Sequence, residues 1–517
     1  MRYSELSLDE KLGQMFLVGI GDGTEAEINL LKETIHPGGY ILFERNLKSS
    51  SSLGPLVNFL AKEKHGRPFP FITCDQEGGI ISPLRQVCSW PPSQMAVSAT
   101  GSKNAAYLSA FITGGRLSAL GFNMNLSPVL DVNVNPMNPV IGVRSFGDRP
   151  SVALELGTEF IRGLEDGGVL SVAKHFPGHG SSETDSHLGL PAVPERESLD
   201  GALLPFRECI GKGVDGIMVG HIHCPSLDRE KIASTLSKNV VQGQLRQKLG
   251  FEKIVITDAM EMKALAGLSE EEASLRAIDA GCDILLFAES GPKLKRVFDF
   301  LLDSVRSGRI KEERIEASCV RIAKAKGKAS ILRQRKAASR EKIVLAEGLS
   351  GDDFFSNEVE DALRDIHSSS ITVLRDPMRN LELEKDLADA DSWLLERPGE
   401  DSVTQPALAG LREAGFRCNV ISRESSPRSF SNRMTLLFTA GRKPISSSEL
   451  KILSDVSASR TNVTSVSLVN PYDAGSFPKN WTVILTYGFE KLSLHSLRDV
   501  VLGKSAAKGQ LPVSIAA

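Results

Sequence analysis

Lys174, His175, His179, Glu183, Asp185 and His187 fall within one stretch, KHFPGHGSSETDSHLGLP, at residues 174–191. A carboxylate beside an imidazole orients it, fixes its tautomer and raises its basicity. In Asp185-Ser186-His187, such a pair would let His187 give a proton to a leaving oxygen and, once neutral, take one from water. A further carboxylate, Asp258, ends the apolar run IVIT and precedes AMEM. A carboxylate held there, facing a pocket, can attack an anomeric carbon. Retaining glycosidases need that nucleophile together with a proton donor, usually a second carboxylic acid. Here the Asp185–His187 dyad takes the donor's place. Two other uses of these residues compete. His175, His179, Asp185 and His187, completed by Asp258, are metal-ligand types, but neither HExxH nor another tight metal signature accompanies them. His179, between two glycines, reads as a brace that holds the loop through hydrogen bonds, whereas His187 does not.

Three glycines and Pro177 interrupt any helix or strand in 174–191, so most of it reads as loop. The preceding GGVLSVA, residues 167–173, reads as a short buried strand. Lys174 and His175 then stand at a strand's C-terminal end, where a barrel of parallel strands carries its catalytic groups. Eight such apolar runs are found up to about residue 290: 14–20, 38–44, 68–75, 122–132, 168–175, 214–222, 253–258 and 282–288. Helical segments lie between most of them, and Ser269 with Glu272 reads as a capping box before the eighth run. This alternation is the shape of a (β/α)8 TIM barrel, with an open doubly wound sheet as the runner-up. No GxGxxG follows the first strand, which weakens a dinucleotide-binding reading. Polar residues gather where the runs end, at Asp75-Gln76-Glu77, Asp131, Lys174-His175, His221 and Asp258, and would ring one mouth.

Residues 291–345 read as helix and then a basic connector, its charges forming a solvated helix over the outside of the barrel. Beyond lies a second α/β unit, with strand candidates SSITVLRD, MTLLFTAG, TSVSLVNP and WTVILTYG. The expected organisation is a catalytic barrel at 1–330, a linker at 331–345 and a second domain at 346–517. A chain of 517 residues exceeds one ordinary core. With 61 basic and 64 acidic residues and a net charge of -3, no bulk field favours nucleic acid or an anionic membrane. No apolar run is long enough to span a bilayer, and MRYSELSLDEKLGQ lacks a signal peptide's layout, so a cytoplasmic protein is expected. Seven scattered cysteines without a CxxC pair suggest reduced thiols rather than disulfides or a zinc site.

The segments PGGYILFERNL, CDQEGG, LSPVLDVNVNPMNPVIGVRSFG, KHFPGHGSSETDSHLGLP, GIMVGHI, STLSKNVVQGQLRQKLGF and ITDAMEMKAL occur in order along the barrel. They resemble glycoside hydrolase family 3, in its bacterial β-N-acetylglucosaminidase subgroup, which the KHFPGHG…DSH loop marks. NPYD, LTYGF and GQLPVSI resemble that family's second domain. The resemblance implies a barrel followed by an αβα sandwich domain. It implies Asp258 as nucleophile and His187 as acid/base, assisted by Asp185. Asp75, Arg144, Lys174 and His175 match positions that hydrogen-bond the sugar, and His221 matches one lining the pocket. The implied substrate is terminal β-linked N-acetylglucosamine, commonly from cell-wall muropeptides, with no cofactor or metal and no nucleic-acid or membrane partner. A phosphorylase would use the same residues, since a histidine acid/base does not repel phosphate. A catalytically inactive sugar-binding protein would not need the intact Asp258, Asp185 and His187. One departure stands out: an arginine usually follows DQEGG, and here Ile80 does. Arg85 is the nearby cation that could supply the charge. The second domain is expected to be a structural partner, walling the cleft or covering barrel surface, with no residue acting in bond cleavage.

Overall fold

The computed structural model describes residues 3–47, 50–62, 67–184, 188–193, 199–338, 353–377, 381, 387, 390–422, 434–459 and 462–515. Eight parallel strands make the first domain: β1 (Phe16–Gly19), β2 (Gly39–Ile41), β3 (Phe71–Thr73), β4 (Met124–Asn125), β5 (Leu170–Phe176), β6 (Gly216–Val219), β7 (Ile254–Ala259) and β8 (Ile284–Phe287). Their order, β3-β2-β1-β8-β7-β6-β5-β4, pairs the first strand with the last. The ring closes between β3 and β4, where the Asn123 N–H donates to the Ile72 carbonyl and the Leu126 N–H to the Cys74 carbonyl, each at 3.1 Å. This is the (β/α)8 barrel that the alternation predicts. Both faces of each strand are covered, which is why the strands read as continuous apolar runs rather than alternating ones. The helix Glu270–Ala280 starts after Ser269, whose Oγ accepts from the Glu272 N–H at 3.2 Å. The other half of the expected capping box is absent, because the Glu272 carboxylate turns to Arg276 and Arg309.

The basic segment corrects an expectation. Glu312–Ala338 is one helix, taking in the first residues of the expected linker. Its cations are not all solvated. Lys326 is 2% exposed and donates to Gln14 Oε1 at 2.8 Å. Lys328 pairs with Asp215 at 2.7 Å and Glu165 at 2.9 Å, and Arg321 with Asp283 at 3.0 Å. Gln14, Asp215 and Asp283 stand just before β1, β6 and β8. The helix therefore crosses the N-terminal end of the barrel as its floor. The charges were legible in the sequence, but the strand-start acids that receive them were not.

The second domain is a sheet of β9 (Thr372–Arg375), β10 (Asp391–Leu395), β11 (Cys418–Ile421), β12 (Thr435–Thr439), β13 (Val463–Ser467) and β14 (Thr482–Leu485). The order is β11-β10-β12-β13-β14-β9, and β9 alone is antiparallel to its neighbour. The step from β10 to β11 runs one way along the sheet and that from β12 to β13 the other. Right-handed crossovers then put the helices Asp401–Glu413 and Ser447–Ser459 on opposite faces, giving an αβα sandwich. β10 and β11 escaped the sequence reading, because DSWLL has only a short apolar run and CNVI is an edge strand with Asn419 exposed.

The two domains share apolar packing. Met95, Ala96, Ala99 and Val143 of the barrel belong to the second domain's core. The Tyr472 hydroxyl donates to the Asn133 carbonyl at 3.2 Å and accepts from Asn133 Nδ2 at 3.1 Å. Ser93 Oγ donates to the Tyr487 carbonyl at 2.7 Å. Among the described residues no helix is long and apolar enough to cross a membrane.

Candidate active site

A cleft of about 630 Å³ opens at the C-terminal ends of the barrel strands, and Asp75, Glu77, Arg144, Lys174, His175 and Asp258 all line it. Asp258 lies near the end of β7, half-buried, and its Oδ1 accepts from the Ala259 N–H at 2.8 Å. Glu77 enters the cleft because the chain turns sharply at Gly78, where φ is 97° and a Cβ would collide with the Pro92 carbonyl. Glu77 is 3% exposed and receives Lys174 Nζ at 2.6 Å. It also takes a two-point contact from Arg144, through Nε and Nη2 at 2.8 Å each. Lys174 reaches Asp75 as well, at 2.5 Å. Burial alone would raise the Glu77 carboxyl, but Arg144 and Lys174 outweigh it and hold the group down at about 2. Burial likewise opposes the Lys174 ammonium, and Asp75 and Glu77 outweigh it and keep its pKa above the ordinary value. The cluster is a fixed set of charge-assisted hydrogen bonds on the cleft wall.

Asp131 organises the next segment. Its Oδ2 accepts from the His175 N–H at 3.1 Å and from His175 Nδ1 at 2.7 Å, and its Oδ1 from the His179 N–H at 2.5 Å. That leaves His175 Nε2 toward Arg144 Nη2, 3.3 Å away. Burial would raise Asp131, and the two histidines more than reverse it. The run DVNVNPMNP then clamps the loop. Asn138 Nδ2 donates to the His179 carbonyl at 2.7 Å, while its Oδ1 accepts from the Val140 and Ile141 N–H groups. Asn135 Nδ2 donates to the Ser181 carbonyl at 3.2 Å.

The cleft thus brings together Asp75, Arg144, Lys174, His175 and Asp258. His221, expected on the pocket wall, is fully buried behind it. Its Nε2 donates to the Ala259 carbonyl at 2.9 Å and its Nδ1 meets Thr235 Oγ1 at 2.7 Å, so it backs the strand end that carries Asp258. Asp185 and His187 lie outside the described residues. Glu77 and Asp131 stood in the sequence as strand-end acids, but nothing there assigned them their partners. Arg85 does not replace the missing arginine: it turns back onto the Ser82 and Ile80 carbonyls, at 3.0 Å each. Ile80 packs on the second domain's core, and the cation beside it on the cleft is Arg442, from the loop after β12. Among the described residues no three His, Cys, Asp or Glu side chains stand in a metal-holding arrangement.

Residues 7–325 match the family model described as the glycosyl hydrolase family 3 N terminal domain. Over 321 residues the chain is 36% identical to beta-hexosaminidase A of Pseudoalteromonas piscicida, covering 56% of this chain and 53% of that one. The chain therefore spans about half the length of that relative. It is 26% identical over 547 residues to a beta-N-acetylglucosaminidase/beta-glucosidase of Cellulomonas fimi, covering 99% of this chain and 94% of that one. Its fold is similar to the solved glycoside hydrolase family 3 beta-N-acetylglucosaminidase from Paenibacillus sp. str. FPU-7, with a TM-score of 0.82 and 31% identity over 99% of each chain. With the family match spanning the barrel that carries this cleft, the chain belongs to glycosyl hydrolase family 3.

Proposed function

We propose that the protein is a retaining, exo-acting β-N-acetylglucosaminidase. Asp258 is the nucleophile, His187 the acid/base and Asp185 the group that orients it. Asp75, Arg144, Lys174 and His175 hold the sugar. In the first step an Asp258 oxygen bonds to the anomeric carbon as the glycosidic C–O bond breaks, and protonated His187 gives its proton to the leaving oxygen. In the second, neutral His187 takes a proton from water as that water's oxygen displaces Asp258, and the configuration is retained. The observation that carries this reading is Asp258 at the end of β7, in one cleft with Lys174, Arg144 and His175. A histidine donor is supported by the other described carboxylates of the cleft. Asp75 and Glu77 are tied to Lys174, and Glu261 accepts from the Ala288 and Glu289 N–H groups. The names of the relatives support N-acetylhexosamine as the sugar. Seven free cysteines, six of them buried, support a reducing, cytoplasmic setting.

The test is release of N-acetylglucosamine from an aryl β-glycoside, with and without inorganic phosphate. Free sugar in both arms is expected; a sugar 1-phosphate would make the enzyme a phosphorylase instead. A mechanism-based fluorosugar should label Asp258, located by mass spectrometry. Label elsewhere, or full activity in Asp258→Asn, would sink the assignment.

A further inference from the structure

The cleft holds a histidine that this mechanism does not use. His179 lines it and is 1% exposed. Its backbone is fixed at both ends, by Asp131 on the N–H and Asn138 on the carbonyl. The next residue must be glycine, because a Cβ on Gly180 would collide with the Val132 carbonyl. The ring is held at Nδ1 by Ser182 Oγ, 2.6 Å away. The other ring nitrogen, Nε2, is buried and has no hydrogen-bond partner among the described residues. Two other buried histidines of this chain show what a brace looks like. His221 bonds through both nitrogens, to Thr235 and Ala259, and His367 does so to Ser493 and Trp90. His179 has the anchors of a brace at one nitrogen and an open valence at the other, and buried polar atoms are nearly always satisfied.

We propose that His179 is a sugar-contacting residue, whose Nε2 hydrogen-bonds a ring hydroxyl of the glycoside seated at Asp258. This rests on the glycosidase reading of the same cleft. Burial keeps the imidazole neutral against the pull of Asp131 and Asp258. A neutral ring presents either an N–H or a lone pair at Nε2, depending on which way the Ser182 hydroxyl points. A sugar hydroxyl both donates and accepts, so the contact forms in either tautomer. The substrate would thus satisfy a buried polar atom that has no partner among the described residues.

The experiment pairs variants with substrates. Wild type, His179→Ala, His179→Asn and Ser182→Ala are assayed on an aryl β-N-acetylglucosaminide and on its 3-deoxy, 4-deoxy and 6-deoxy forms. His179→Ala should lower kcat/KM on the parent by about tenfold, the worth of one neutral hydrogen bond. It should add no further loss on the one deoxy substrate that lacks the partner hydroxyl. Ser182→Ala keeps Nε2, so it should retain wild-type discrimination at that hydroxyl even if its rate falls. Equal loss on all four substrates, or none, would overturn the proposal and return His179 to a bracing role. If His179→Ala does not fold, His179→Asn is read in the same way. If wild type turns over none of the glycosides, the glycosidase reading fails by itself. Binding of N-acetylglucosamine by calorimetry then decides for His179: about tenfold weaker binding in the variant supports the contact, and unchanged binding overturns it.

Discussion

Glu77 receives Lys174 and Arg144 together, so one buried carboxylate fixes two cations of the proposed sugar site. Replacing it by Gln should lower kcat/KM by roughly 10–100-fold, since hydrogen bonds to charged groups are worth about 1.5–3 kcal/mol. Unchanged kcat/KM in a folded Glu77→Gln protein would remove Glu77 from that site. The pH dependence has a definite sign. The folded carboxyl sits at about 2, below its ordinary 4.5. Its contribution to stability is therefore complete above 4.5 and disappears as pH falls toward 2. Thermal melts across that acid range should fall less steeply in the variant than in wild type. Asp75, Lys174, His175 and Asp258 were legible in the sequence because each closes an apolar run, and Arg144 was legible by resemblance. Glu77 and Asp131 were legible only as strand-end acids, because the partners that define their roles lie 67 and 44 residues away. A paired acid and a capping acid look alike until the chain folds.

At the scale of elements, a brace of asparagines holds the loop that leaves β5. Asn138 joins the His179 carbonyl to the turn that carries Arg144. Asn138→Ala should destabilise the protein by roughly 1–3 kcal/mol, the cost of buried groups left unpaired. Denaturant unfolding measures the loss, and a change within error would show that water replaces the amide. In the second domain, Arg397 lies between the buried carboxylates of Glu449 and Asp473. Burial pushes Asp473 up to about 7 from 3.8, more than Arg397 pulls it down. A raised carboxyl stabilises the fold at low pH and loses that contribution as pH rises through 7. Between about pH 4 and 7, the melting temperature should fall less in Asp473→Asn than in wild type. A parallel fall would mean that Asp473 stays ionised throughout. The barrel strands were legible because burial on both faces writes them as apolar runs. β10 and β11 were not, since short central and edge strands carry too few apolar residues to stand out from loop.

The whole molecule joins its domains around the cleft. Arg442 is exposed on that cleft and has no ion pair among the described residues. It is the second domain's polar contribution to the cleft lining. Arg442→Ala should leave turnover of a small aryl glycoside within about threefold while raising KM for a glycoside with an anionic aglycone, since the residue is a solvent-facing charge on the cleft lining. Loss of small-substrate turnover in a folded Arg442→Ala protein would make bond cleavage a shared task of both domains. The apolar contact between the domains also has a consequence in time. Val143, one residue before Arg144, is completed by the second domain's core, and the Gln510 N–H reaches back to the Ala99 carbonyl at 2.7 Å. At roughly 5–20 residues per second, a ribosome finishes residue 510 on the order of ten seconds or more after residue 325. During that interval the nascent barrel lacks the partner that seats its arginine turn. The arginine turn is therefore expected to reach its final packing only after the late segments arrive.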